Sequence, residues 1–100
     1  MRAKRTDANH AAIRDGLRKA GVWVTDLSGL GNGVPDLLCC NVKEFVLLEV
    51  KDGSKPPSAR KPTPLEQVFL ETAWNRQAPV FVVTSLDEAM AAVGLPAAWG

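Results

Sequence analysis

Helical and strand periodicities alternate along the chain. Near its start Ile13, Leu17 and Ala20 fall on one stripe at about 100° per residue, which predicts an amphipathic helix. Thr6 stands as its N-cap, the helix runs to Lys19 or Ala20, and Gly21 lies where a helix stops. Continued backwards, the stripe meets Asn9 and His10, polar groups that must either find buried partners or look into a cleft. Arg14, Asp15 and Arg18 fall on the outer face. Val22, Trp23, Val24 and Thr25 predict a short strand over residues 22–27. The stretch Ser28-Gly29-Leu30-Gly31-Asn32-Gly33 lacks the Lys-Ser/Thr pair and the following helix of a phosphate-binding loop, and predicts a mobile connection.

Residues 35–41 and 45–51 are apolar runs joined by the short polar link Val42-Lys43-Glu44, the pattern of a β-hairpin. The second run, Phe45-Val46-Leu47-Leu48-Glu49-Val50-Lys51, is apolar on both faces until its end, as a central strand covered on both sides would be. Residues 52–62 hold three prolines and predict a mobile basic loop. Thr63-Pro64-Leu65-Glu66 opens a second helix, with Thr63 as N-cap, Pro64 at the first helical position and Glu66 closing a capping box. Leu65, Val68, Phe69 and Thr72 form its main apolar stripe; Gln67, Leu70 and Trp74 form another. Residues 79–84 predict a further strand. Ser85-Leu86-Asp87-Glu88 opens a last short helix that ends by Gly94 and Pro96. The order α, β, β, β, α, β, α implies an α/β fold with a mixed central sheet flanked by helices.

Length and composition narrow this further. One hundred residues, 46% of them hydrophobic and 23% charged, suit a single domain spanning residues 1–100 with room for one core. No apolar run approaches the roughly 18 residues of a membrane span, so no membrane partner is expected. Cys39 and Cys40 are adjacent, point to opposite faces of a strand, and read as buried thiols of a reducing cytoplasm. The net charge of +1 conceals an uneven distribution: +4 over residues 1–20, −2 over 21–48, +2 over 49–65 and −3 over 66–100. Trp23, Trp74 and Trp99 are assigned to core or interface packing, with base stacking as their other use.

Charges also stand where a core pattern predicts none. Asp36 opens one strand of the hairpin, and Glu49 and Lys51 close the next. Residues two apart on a strand share a face, and the start of one hairpin strand lies beside the end of its partner, so the three side chains converge at one end of the sheet. Two carboxylates on a rigid hairpin make a hard-oxygen site for Mg²⁺, with Mn²⁺ as a substitute, and a lysine beside them suits phosphodiester hydrolysis. The same residues also suit a salt-bridged cluster at a strand end.

The segments Gly33-Val34-Pro35-Asp36-Leu37-Leu38, Leu47-Leu48-Glu49-Val50-Lys51 and Thr63-Pro64-Leu65-Glu66-Gln67, in this order, resemble the PD-(D/E)XK nuclease superfamily. Within it the chain is most similar to the virus-type replication-repair nucleases (VRR-NUC), whose relatives include the Holliday-junction resolvases of archaea. The resemblance covers about residues 6 to 84. It implies a restriction-endonuclease-like core in which Asp36, Glu49 and the main-chain carbonyl of Val50 bind the catalytic metal. Lys51 would serve the attacking water, and Gln67 would position the water, the lysine or a phosphate. The family's acidic residue in the first helix is missing; Asp7 is the nearest substitute, with Asn9 as another partner.

The activity implied is a Mg²⁺-dependent, structure-selective endonuclease acting on branched DNA, with no organic cofactor. Arg5 and Asn9 near the first helix, and Lys55, Arg60 and Lys61 in the basic loop, are the expected contacts to the nucleic-acid backbone. Cutting both strands of a junction needs two sites, so a homodimer is expected, with Leu70 and Trp74 as its surface. The competing readings are a non-cleaving nucleic-acid-binding module of the same fold and a restriction-type nuclease.

Overall fold

A computed structural model describes residues 7–41 and 43–94. Arg5, Thr6, Pro96 and Trp99 lie outside the described residues. The elements follow the predicted order: α1 (His10–Lys19), β1 (Trp23–Asp26), β2 (Leu37–Cys40), β3 (Phe45–Val50), a 3₁₀ turn over Pro57–Arg60, α2 (Pro64–Asn75), β4 (Val80–Val83) and α3 (Leu86–Ala92). The sheet runs β1-β2-β3-β4; the first three strands are antiparallel and β4 is parallel to β3. This is a mixed four-stranded α/β arrangement. Among the described residues no helix is long and apolar enough to cross a membrane.

The two faces of the sheet are covered unequally. On one, Val24, Leu37, Cys39, Val46, Leu48 and Val50 pack under Ile13 and Leu17 of α1 and Ala89 of α3. The helices approach closely at Gly16, where a Cβ would lie 2.6 Å from Leu86. Cys39 is fully buried there, and burial pushes its thiol up to about 11. On the other face α2 covers only the β3–β4 side, where Leu70 is buried and the Trp74 indole Nε1 donates to the Val80 carbonyl at 2.7 Å.

Three local expectations need correction. Helix α1 starts at His10, with Asn9 as an N-cap that makes no side-chain cap hydrogen bond, and Ala20 is exposed at its C-cap. In α2 the roles of the two stripes are exchanged: Leu65 and Val68 are exposed and line a groove with Phe69, Thr72, Ala73, Arg76 and Asn32, whereas Glu66 and Leu70 face inward. Leu70 braces α2 on its own sheet and is too buried to form part of the expected dimer surface, whereas Trp74 remains 45% exposed. Apolar count misled here, because a short helix over an ion-paired strand end turns a carboxylate inward. Of the two packing roles expected for Trp23, core or interface, the core is excluded, since it is 74% exposed on the edge strand. Residues 52–62, expected to be a basic loop outside the sheet, lie between β3 and α2 and contain the 3₁₀ turn.

The capping predictions hold for α2, where Thr63 accepts from the Glu66 amide and Glu66 accepts from the Thr63 amide. In α3 Ser85 accepts from the Glu88 amide, but the Glu88 carboxylate turns to Thr84 instead of closing the box. The glycine-rich connection is more than a spacer. Gly33 has φ +82°, and a Cβ there would lie 2.4 Å from the Leu65 carbonyl oxygen. Only glycine lets this loop lie against the first turn of α2 while Asp36 enters the sheet three residues later.

Gly33→Ala is therefore expected to cost about 2 kcal/mol or more in chemical denaturation. Gly29→Ala, where an added Cβ meets nothing within 4 Å, should stay within about 0.5 kcal/mol of the parent.

Candidate active site

The register Leu37↔Leu48 places Asp36 opposite Glu49 at the end of the β2–β3 ladder. Asp36 is 3% exposed, and its Oδ2 accepts a 2.7 Å hydrogen bond from the Val50 amide. A strand residue directs its N–H and C=O to the same edge, so the Val50 carbonyl is turned toward the Asp36 side. Glu49 and Lys51 share the other face of β3, where Lys51 Nζ lies 3.4 Å from Glu49 Oε2. The three residues that spacing brought together are adjacent in space.

Glu66, assigned from sequence only to the capping box, joins them. Its Oε1 accepts from Lys51 Nζ at 2.7 Å while also accepting from the Thr63 amide at 2.9 Å. One carboxylate thus starts α2 and fixes the lysine. Nothing in the spacing of Thr63 and Glu66 asked for a second partner. The available signal was Lys51 itself, since a lysine buried at a sheet end requires closely placed carboxylates.

The electrostatics follow from this arrangement. Burial alone would raise the Glu66 pKa, but hydrogen bonds from Lys51 and from the Thr63 amide bring it down to about 2. Burial alone would lower the Lys51 pKa; the hydrogen bond to Glu66 and the charge of Glu49 outweigh it, and the ammonium is held above its ordinary value. Lys51 is a fixed cation between two carboxylates.

Helix α1 closes the site from the opposite sheet face. Asn9 Nδ2 donates to the carbonyls of Lys51 at 3.0 Å and Thr84 at 2.9 Å, tying the helix start to the ends of β3 and β4. His10, buried in the same turn, lies 2.9 Å from Asp26 Oδ2 through its Nε2. Asp26 also accepts from Arg14 and from the amide and hydroxyl of Ser28. Burial opposes ionisation of Asp26, but the hydrogen bonds from Ser28 and His10 outweigh it and hold the carboxyl well below the usual range. This hub, which joins α1, β1 and the glycine-rich connection, has no signature in residue spacing.

Gln67 is half-buried in the first turn of α2, and it is the neighbouring Glu66 whose side chain reaches the lysine. Asp7 Oδ1 pairs with Lys55 Nζ at 3.2 Å, joining the start of the described chain to the basic loop. Lys55 and Lys61 are exposed and Arg60 is half-buried.

Among the described residues no group of three or more His, Cys, Asp and Glu side chains is arranged to hold a metal ion. Asp36 and Glu49 nevertheless offer hard oxygens, and Mg²⁺ is commonly held by one or two carboxylates with waters and substrate phosphate completing the shell. The donor chemistry fits such an ion. Compared with protein-family models and with the curated proteins, the chain matches none.

Glu66→Gln keeps an acceptor for the Thr63 amide and removes the charge that pairs with Lys51, so it should cost about 2 kcal/mol at neutral pH. Because the folded Glu66 lies below its ordinary 4.5, at about 2, its contribution is complete above about pH 5 and fades as pH falls toward 2. Denaturation at several pH values should show the gap between the parent and Glu66→Gln narrowing over that window.

Proposed function

We propose that the chain is a Mg²⁺-dependent endonuclease of the PD-(D/E)XK type, similar to the VRR-NUC nucleases, acting on branched DNA. The observation that carries this reading is the convergence of Asp36, Glu49 and Lys51 on the last turns of one hairpin, with both carboxylates buried. A buried carboxylate pair is costly to maintain for stability alone, and Lys51 offsets only part of that charge. Asp36, Glu49 and the Val50 carbonyl would hold the ion, which supplies a polarised phosphate and a more acidic bound water.

The chain's own residues supply the rest. Lys51, fixed by Glu66, presents an ammonium that orients the attacking water and offsets negative charge at phosphorus. Asn9 holds the main chain of Lys51 and therefore the direction of its side chain. Lys55 and Lys61, exposed on either side of the 3₁₀ turn, would supply phosphate contacts that read backbone shape and not base sequence. Two copies would be needed to cut opposing strands, and the exposed Leu65 and Val68 stripe of α2 replaces the buried Leu70 in their contact. The second reading, a binding module that does not cleave, is favoured by one feature: Lys51 is already saturated by two carboxylates.

With Mg²⁺ or Mn²⁺, the protein is expected to cut a synthetic four-way or flapped DNA and to spare linear duplex. Asp36→Asn and Lys51→Ala should each lower the rate at least about 100-fold, the scale of losing one preorganised electrostatic contact. Binding without cleavage of any substrate would favour the module, and activity surviving Asp36→Asn would exclude the proposed ion site. Val68→Glu should reduce the dimer fraction in sedimentation velocity without lowering thermal stability.

A further inference from the structure

Lys51 is paired with two carboxylates and does not hold them equally. Its Nζ lies 2.7 Å from Glu66 Oε1 and 3.4 Å from Glu49 Oε2, so the closer partner sits on α2 and the looser one on its own strand. The side chains of Lys51, Glu66 and Glu49 are 11%, 7% and 2% exposed, and charges so placed are weakly screened by salt.

The bias toward Glu66 has a cause in the fold. Glu66 stands at the third position of α2, where the same Oε1 accepts from the Thr63 amide at 2.9 Å. The capping box therefore fixes the oxygen that Lys51 reaches. At the other end of the lysine, Asn9 Nδ2 donates to the Lys51 carbonyl at 3.0 Å and holds its main chain. Glu49 needs no such device to meet the ammonium: two residues apart on β3, the side chains share a face, and a small rotation of the lysine would close the remaining gap.

Glu49 is also the carboxylate that the ion site needs. An ammonium and a divalent cation are alternative partners for one carboxylate, and a fixed positive charge a few ångströms from a ligand oxygen opposes the arrival of another. Where Lys51 rests therefore decides how much of Glu49 is available. With Glu66 ionised, the ammonium has a closer partner on a different element. With Glu66 neutral, Glu49 is the remaining anion of the pair.

We propose that Glu66 is a positioning residue that draws the Lys51 ammonium away from Glu49 and so sets the affinity of Asp36, Glu49 and the Val50 carbonyl for a divalent cation. Resting on the ion site proposed above, this adds a built-in competitor, Lys51, and the carboxylate that restrains it. Direct ligation of the ion by Glu66 is the alternative, and the two roles predict different couplings.

The test is a double-mutant cycle on Mn²⁺ binding to the full chain without DNA, read at neutral pH from the electron paramagnetic resonance signal of free Mn²⁺. Glu66→Gln keeps an acceptor for the Thr63 amide and should weaken Mn²⁺ binding about tenfold, the scale on which one neighbouring charge moves a carboxylate equilibrium. Lys51→Met should tighten binding by about the same factor. Adding Glu66→Gln to Lys51→Met should then change the affinity by less than about twofold, because no ammonium remains to be transferred. Thermal unfolding checks that each variant is folded, and the parent protein supplies a second reading: Mg²⁺ should displace the side-chain carboxyl carbon resonance of Glu49 well beyond that of Glu66. A tenfold loss from Glu66→Gln in the Lys51→Met background would overturn the proposal and make Glu66 a ligand; equal Mg²⁺ shifts at both carboxyls would do the same. Absence of Mn²⁺ binding in the parent would remove the ion site and this role with it. Coupled Mn²⁺ binding without cleavage of any DNA would leave the role standing and remove the nuclease.

Discussion

The Lys51 ammonium held between Glu49 and Glu66 is the interaction on which the arrangement of this molecule turns. It joins the end of the central strand to the start of α2, and through the Thr63 amide it shares a carboxylate with that helix's capping box. Remove the charge pairing and two acidic groups remain buried beside each other, an arrangement that protonates or opens. The close contact of Gly33 with Leu65, the pairing of Asp36 with the Val50 amide and the Asn9 bridge to Lys51 all converge on this one end of the sheet. Stability and candidate chemistry are therefore drawn from the same few side chains.

Much of this was legible in the residue order. Strand period placed Glu49 and Lys51 on one face, and hairpin geometry placed Asp36 beside them, because both depend only on local backbone repeat. The element order and the caps of α2 followed from equally local rules. What was not legible depended on which side of an element the rest of the fold covers. Leu65 and Val68 are more apolar than Glu66, yet Glu66 is the buried one, since its partner lies on a strand end fifteen residues earlier. Trp23 was expected in the core or at an interface, and the core is excluded because β1 is an edge strand on which it stays exposed. The Asp26 hub was invisible for a similar reason: His10, Arg14 and Ser28 meet it only after α1 has folded across β1.

The unequal covering of the sheet gives the two faces different work. One, under α1 and α3, is a closed apolar core that fixes the strands. The other is divided between an ion-paired cluster beneath α2 and an open aromatic strip. A site built on the rigid hairpin can hold its carboxylates in place. The resemblance to PD-(D/E)XK nucleases rests on the short motifs around Asp36, Glu49 and Thr63, and the geometry adds Glu66 to the residues that any account of the site must include.

The central claim is that Asp36, Glu49 and the Val50 carbonyl form a site for a hard divalent cation. Paramagnetic broadening of backbone amide resonances by substoichiometric Mn²⁺ tests it without a substrate. The account predicts selective loss of the signals of Asp36, Leu37, Val50 and Lys51, reversed by excess Mg²⁺ and absent in Glu49→Gln. Broadening centred on Asp26 or Asp52, or spread evenly over the surface carboxylates, would contradict it.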